Sequence, residues 1–193
     1  MSLLVLVRHG QTDWNIARRY QGQLDTALNE NGRWQMERAA AALNGIGPDA
    51  IYTSPLKRAA HSAQIVARPF GLVPLCNGRL REMDLGVWQG EPYEIGDASP
   101  NWFRRAPHGG EKGRHFLARV RGWLEDWVDG ETAVVVVHGL VIQAIISILL
   151  HDPFNPWHRR PIHNGSITQL EQDEYGQWML ARFNDISHLE TIS

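Results

Sequence analysis

The sequence predicts an α/β fold: a three-layer α/β/α sandwich with a mostly parallel central sheet and an antiparallel C-terminal strand. Three observations predict it. Two continuous apolar runs, LLVLV at 3–7 and TAVVVV at 132–137, have the character of strands covered on both faces. Helix-forming stretches alternate with the strand-like ones, which favours parallel pairing through crossovers. The stretch 166–184 holds two strand-like runs joined by a turn near Glu174–Gly176, an antiparallel pair.

The elements follow in chain order. Residues 3–7 form the first strand. Residues 28–44, LNENGRWQMERAAAALN, are rich in helix formers, and Gly45, Gly47 and Pro48 end that helix. DAIYTS at 49–54 is a second strand. Ser54 followed by Pro55 reads as an N-cap with proline at the first helical position, opening a helix over 56–67. LVPLC at 72–76 is a weaker strand, because Pro74 suits a sheet edge. In that apolar setting the single cysteine, Cys76, is expected to be a small core residue. Glycines and prolines crowd 85–115, an excursion with short helices expected to cover the site. Phe116, Val120, Trp123, Leu124 and Trp127 then recur at helical spacing as a core-facing stripe. After the strand at 132–137, LVIQAIISILL at 140–150 reads as a buried helix.

Bulk composition narrows the function. The 193 residues suit one domain, 1–193, and show no repeat or linker. Nineteen Lys and Arg against 21 Asp and Glu give a net charge of −2, so no nucleic-acid partner is expected. The longest apolar runs are too short to span a bilayer, so no membrane partner is expected. One cysteine allows no internal disulfide, and no signal peptide is visible; a cytoplasmic setting fits.

Chemistry-bearing residues follow each predicted strand. Arg8, His9 and Gly10 follow the first, Arg58 and His61 the second, Arg81 and Glu82 the third, His138 and Gly139 the fourth. In an open parallel sheet, ligands bind beyond the carboxyl ends of the strands. A lone histidine or arginine at such a place has an ordinary structural explanation. Four coincidences at one sheet edge do not share one.

The motifs VRHGQTDWN, SPLKRA, LREMDLGVWQG and VVVHG, in this order, resemble the histidine phosphatase superfamily, the phosphoglycerate-mutase-like fold. The resemblance runs from Val7 to Gly139. It implies that His9 attacks phosphorus and carries a phosphohistidine. Arg8 and Arg58 are then expected to clamp the phosphate through their planar forks. Glu82 is the expected proton donor to the leaving group and then the base for water. His138 is expected to hydrogen-bond the phosphoryl oxygens. Asn15, Gln21 and Gly22 match positions that line the phosphate pocket or its mouth in similar proteins. Thr12 joins them through its hydroxyl or backbone, while Trp14 is expected to pack. Asn164 fits the family's turn before the next strand.

Metal is the rival explanation for clustered histidines. No His-x-x-x-His or Cys-x-x-Cys spacing occurs near these strand ends, and two arginines would repel a cation. The expectation is a metal-independent enzyme with no cofactor, acting on a small phosphorylated metabolite. The sequence assigns no oligomeric state.

Three functions compete. Hydrolysis of phosphate monoesters leads, because WNIARRYQG and GVWQG look like the phosphatase branch. The segment after Glu82 is also short, where similar mutases carry a longer basic insertion. A cofactor-dependent phosphoglycerate mutase is the alternative. A non-catalytic phospho-ligand binding module is the third, disfavoured by the intact set of His9, Glu82 and His138. Where similar phosphatases show Gly-Gly-Glu-Ser, this chain has Lys112, which cannot cap the next helix as serine does. Arg104 and Arg105 in the excursion, and Trp157, His158, Arg159, Arg160 and His163 in a later loop, are charged or aromatic residues without an assigned role. Loops on a rigid scaffold usually set specificity.

Overall fold

In the computed structural model, residues 2–97, 102–127, 130–154 and 162–190 are described. Six strands form one sheet: β1 (Leu3–Arg8), β2 (Ala50–Thr53), β3 (Leu75–Cys76), β4 (Thr132–Val137), β5 (Ile167–Gln172) and β6 (Trp178–Asp185), in the order β3-β2-β4-β1-β5-β6. β1, β2, β3 and β4 pair in parallel, whereas β5 runs antiparallel to both β1 and β6. The helices are α1 (Asp13–Ile16), α2 (Glu30–Ala42), α3 (Lys57–Ala67), α4 (Glu94–Asp97), α5 (Trp102–Arg105), α6 (Gly113–Asp126) and α7 (Gly139–Leu149).

The period-two alternation of the central strands builds two cores, one on each face. Leu4 and Leu6 of β1, with Ala133, Val135 and Val137 of β4, pack with Phe116, Val120 and Trp123 of α6 and Val141, Ile142 and Ile145 of α7. Val5 and Val7, with Val134 and Val136, pack with Met36 and Ala39 of α2 and Ala63 and Val66 of α3. Both strands are buried on both faces, hence their unbroken apolar runs. Register then fixes the geometry of the site. Arg8 pairs with Val137, and the His9 N–H donates to the Val137 carbonyl at 2.9 Å. The residues that follow the two strands, His9 and His138, therefore leave the sheet side by side.

Three expectations meet corrections. Cys76 is exposed, as is Leu75 beside it. β3 is only two residues long and pairs on one side, so its apolar residues face solvent rather than the core. The helix expected from Leu56 begins at Lys57, and Ser54 is not its N-cap. The Ser54 Oγ instead accepts the Leu56 N–H at 3.2 Å, closing a turn ahead of the helix. Trp127 lies one residue past α6 in extended backbone, although it is buried as expected. The antiparallel pair expected over 166–184 is β5 and β6. Asp173 Oδ1 holds their turn by accepting the Tyr175 and Gln177 N–H groups at 2.9 and 2.8 Å.

α1 was absent from the sequence reading. Thr12 caps it: its Oγ1 accepts the Asn15 N–H, while Asn15 Oδ1 accepts the Thr12 N–H. The excursion contributes α4, α5 and a short 3-10 turn at Gly86–Trp88. No helix among the described residues is long and apolar enough to cross a membrane.

Candidate active site

Beyond the carboxyl ends of β1 and β4 lies a cavity of about 350 Å³. Its lining includes Arg8, His9, Asn15, Gln21, Gly22, Arg58 and Glu82, with Gly139 and Leu140 from the start of α7. The fold thus brings together residues separated by up to 154 positions, from Arg8 to Ile162.

His9 is 3% exposed. Its Nδ1 lies 2.7 Å from the Gly10 carbonyl oxygen. A carbonyl only accepts, so Nδ1 carries the hydrogen and Nε2 keeps its lone pair. Burial, then the charges of Arg58 and Arg8, hold the His9 pKa well below the ordinary histidine value. His9 is thus neutral at pH 7, with a nucleophilic nitrogen available. The loop that carries it needs two glycines. A Cβ on Gly10 would fall 2.2 Å from the Gly32 carbonyl oxygen, and one on Gly32 would fall 2.1 Å from that of Gln11. The loop after β1 therefore packs backbone to backbone on the start of α2. Ser62 Oγ of α3 accepts the Gly10 N–H at 3.1 Å, and the Asn164 Nδ2 donates to the His9 carbonyl at 3.0 Å.

Arg58, in the first turn of α3, is 1% exposed. Its Nη1 donates to the Leu24 carbonyl at 2.8 Å and its Nη2 to the Gly22 carbonyl at 2.7 Å. Arg8 donates through Nη1 to the Ile162 carbonyl. Among the described residues, the Nε of each arginine is buried without a partner. Burial lowers both pKa values, that of Arg58 to about 10, so both remain cationic at neutral pH. Tyr93 lines the same cavity. His138 occupies the N-cap position of α7, and its ring lies 5.2 Å from that of His9. It is fully buried, and neither ring nitrogen has a hydrogen-bond partner. Burial, then the Arg58 charge, pushes its pKa well below the usual value.

Buried groups left unpaired in this way cost free energy unless something else fills them. Arg8 and Arg58 line one hollow, whereas His138 is buried against His9 and lies outside the lining, contrary to the sequence expectation that it touches the ligand. Two guanidinium groups with an unsatisfied Nε each suit an anion with acceptor oxygens.

Glu82 supplies the carboxyl. Its Oε1 accepts the Met83 N–H at 2.9 Å, and its Oε2 accepts the Leu140 N–H at 3.2 Å, in the first turn of α7. Burial raises its pKa against the opposing pull of these bonds and the arginines. A carboxyl whose pKa is raised by burial, beside two guanidinium groups, is suited to exchange a proton.

Two residues missed in the sequence hold Glu82 in place. Arg119 of α6 donates to the backbone carbonyls of Arg79 and Arg81 at 2.6 Å each and of Glu82 at 3.0 Å. Glu111 grips the same guanidinium through both oxygens, at 2.8 and 2.9 Å. The sequence does hold a signal for Arg119. It sits three residues after Phe116 and four before Trp123, a charge beside an apolar stripe.

Asn15 lines the cavity. Its Oδ1 takes hydrogen bonds from the Thr12 N–H, the Thr12 hydroxyl and the Asn164 amide, at 3.0, 3.0 and 3.3 Å. Thr12 lies behind Asn15, outside the lining, so its hydroxyl orients Asn15. Gln21 and Gly22 line the mouth. Gly22 has φ of 51° and a Cβ there would meet Gln89 Oε1 at 2.2 Å, so both backbone and space call for glycine.

Several sequence candidates fall elsewhere. His61 and Arg81 are exposed and outside the cavity lining, on the solvent side of their elements. Arg104, Arg105 and Lys112 are also exposed and outside it, and Lys112 provides no side-chain cap to α6. His163 is exposed and pairs with Asn184. Trp157, His158, Arg159 and Arg160 lie outside the described residues. Trp14 is half-buried and packs near Gly90, as expected.

Comparison with known proteins adds the decisive likeness. The model of the histidine phosphatase superfamily (branch 1) matches residues 4–186. The chain belongs to the histidine phosphatase superfamily. Among curated relatives, the glucosyl-3-phosphoglycerate phosphatase of Mycobacterium tuberculosis is 38% identical over 195 residues, covering 91% of this chain and 86% of that protein. The probable phosphoglycerate mutase GpmB of Cronobacter sakazakii is 30% identical over 206 residues, covering 98% and 96%. The solved phosphoserine phosphatase of Entamoeba histolytica, in complex with 3-phosphoglyceric acid, superposes with a TM-score of 0.87. It is 29% identical and covers 98% of this chain and 100% of its own. These histidine phosphatase relatives thus include both phosphatases and a protein named for mutase activity.

Proposed function

We propose that the chain hydrolyses small phosphate monoesters by forming a phosphohistidine on His9, without a metal. The observation that carries this is the His9 imidazole, its Nδ1 tied to the Gly10 carbonyl so that the lone pair lies on Nε2, in a cavity that Arg8, Arg58 and Glu82 also line. Arg8 and Arg58 hold the dianionic phosphoryl group and its developing charge. His9 Nε2 forms a bond to phosphorus as the ester P–O bond breaks. Glu82 gives its proton to the departing alkoxide. Water then attacks phosphorus, Glu82 takes the proton back, and the P–N bond breaks to release phosphate. The amide of Asn15 donates to the phosphoryl oxygens from the mouth.

The phosphatase relatives support a small phosphorylated substrate, and their names bring phosphoglycerate and phosphoserine esters into consideration. The excursion over 85–115, part of a single domain spanning 1–193, covers the site with Leu85, Tyr93 and Trp102. An exposed Cys76 thiol fits a reducing, cytoplasmic setting.

The test is rapid quench with a radiolabelled phosphomonoester. Label should appear on the protein, stable to base and labile to acid, and be absent in His9→Ala. Full turnover by His9→Ala overturns the proposal. The likeness to GpmB over nearly the whole chain keeps phosphoglycerate mutase as the second reading. Rapid interconversion of 3- and 2-phosphoglycerate without phosphate release, given the bisphosphorylated cofactor, establishes it instead.

A further inference from the structure

The cavity lining also includes aromatic residues that phosphate transfer does not use. We propose that an aromatic wall of Tyr20, Tyr93 and Trp102 selects phosphate esters whose leaving group is uncharged and carries a planar apolar ring. This rests on the phosphatase reading and names the substrate class within it.

The wall is built to hold its shape. The Tyr20 and Tyr93 rings lie 4.9 Å apart at a 56° tilt. Trp88 backs both ends: it stacks on Tyr20 at 5.8 Å and tilts against Trp102 at 6.0 Å. The loops carrying the two tyrosines pair like a short ribbon. The Tyr20 N–H donates to the Glu91 carbonyl at 2.9 Å, the Gly90 N–H to the Tyr20 carbonyl at 2.7 Å, and the Tyr93 N–H to the Arg18 carbonyl at 2.9 Å. Rigid aromatic faces lose little freedom when a ring docks on them.

The charges of the site are already assigned. Arg8 and Arg58 serve the phosphoryl group, and Glu82 serves the leaving oxygen. Among the described lining residues, the remainder are neutral, with Leu85, Leu140 and Ile162 completing the apolar surface. A carboxylate or ammonium on the leaving group would lose water against this wall, where the described lining offers no charge beyond Arg8, Arg58 and Glu82, at a cost an apolar ring does not incur. The cavity, about 350 Å³, accommodates a phosphate and a ring together.

The experiment compares three primary alkyl monoesters, so that bond chemistry stays nearly constant: 2-phenylethyl phosphate, ethyl phosphate and O-phosphoserine. The phenylethyl ester should exceed each of the others in kcat/KM by about tenfold, the scale of one good ring contact. In Tyr93→Ala, checked for folding by circular dichroism, that ratio should fall below about threefold. Phosphoserine turned over as fast as the phenylethyl ester, or a ratio that survives Tyr93→Ala, overturns the proposal. If no ester is hydrolysed, the phosphatase reading fails, and calorimetry with 2-phenylethylphosphonate against ethylphosphonate decides the wall separately. Binding about tenfold tighter for the phenyl compound supports it; equal binding overturns it.

Discussion

Arg58 and Arg119 each reach from a helix to backbone carbonyls at the carboxyl edge of the sheet. Arg58 ties down Leu24 and Gly22, yet its Nε remains buried and unpaired. Arg119 ties down Arg79, Arg81 and Glu82 and meets Glu111 in a two-pronged ion pair, with every guanidinium nitrogen bonded. The floor of the cavity, lined by Arg58 and Arg8 with His138 buried against His9, is built incomplete. The brace behind Glu82 is built complete. Incomplete burial marks where a ligand belongs, and complete burial marks what holds the machinery still. Substitutions in the two regions should therefore fail in different ways.

The largest effect is expected at the floor. His9→Ala removes the nucleophile and should lower kcat by about 10⁴-fold or more, with no phosphoenzyme on acid or base quench. Binding of vanadate, read by inhibition or calorimetry, should survive, because the arginines remain. A variant that keeps its activity would deprive the floor of its catalytic meaning.

Glu82→Gln comes next, at about 10²- to 10⁴-fold in kcat for alkyl esters. The loss should be much smaller for 4-nitrophenyl phosphate, whose leaving group needs no proton. The pH profile carries a sign. Burial raises the Glu82 pKa, so the acid form is available at low pH and is lost as pH rises through that raised value. Burial and two arginines lower the His9 pKa, so His9 stays neutral well into acid and activity falls only as pH drops through the lowered value. The kcat/KM profile should fall on its alkaline side through Glu82 and on its acid side through His9. Glu82→Gln should erase the alkaline fall and leave the acid one.

The same contrast explains what the sequence discloses. The central strands were legible because β1 and β4 are buried on both faces and read as unbroken apolar runs. Arg8, His9, Glu82 and His138 were legible because they follow predicted strands and sit in short motifs. The edge was not: LVPLC has a core-like composition, but β3 pairs on one side only and leaves Cys76 in water. The brace was obscure for another reason. Arg119 works through backbone carbonyls, which every residue possesses, so nothing in the identities of residues 79–82 announces a partner. Gly10 and Gly32 raise the same difficulty, since their reciprocal contact depends on tertiary approach. The wall of Tyr20 and Tyr93 depends on two loops pairing across about 70 positions, beyond any local pattern.

At the brace, Arg119→Lys keeps the charge and loses the fork. With Glu82 displaced by a fraction of an ångström, kcat should fall by about 10- to 10²-fold with KM little changed. The alkaline limb of the pH profile should move as the carboxyl environment alters, a readout that loss of stability alone does not produce. Glu111→Gln should give the same pattern more weakly, because the carbonyl bonds of Arg119 remain. If either variant instead raises KM for phosphate esters with kcat intact, the brace touches substrate and the division between the two regions fails.

The smallest effect is thermal. Orthophosphate that completes the floor binds the folded chain only, so at about 100 times its Kd it should add about 2.7 kcal/mol of stability. For a chain of this size that is a rise in Tm of about 5–10 °C by scanning calorimetry. Arg119→Lys should lower the starting Tm yet keep the increment from phosphate, because its partners are all protein groups. Arg58→Lys should do the reverse and erase most of the increment, because the groups it leaves unmatched are the ones phosphate was to fill. An increment that survives Arg58→Lys but disappears with Arg119→Lys would place the anion behind Glu82. The incomplete region would then be the brace, not the floor.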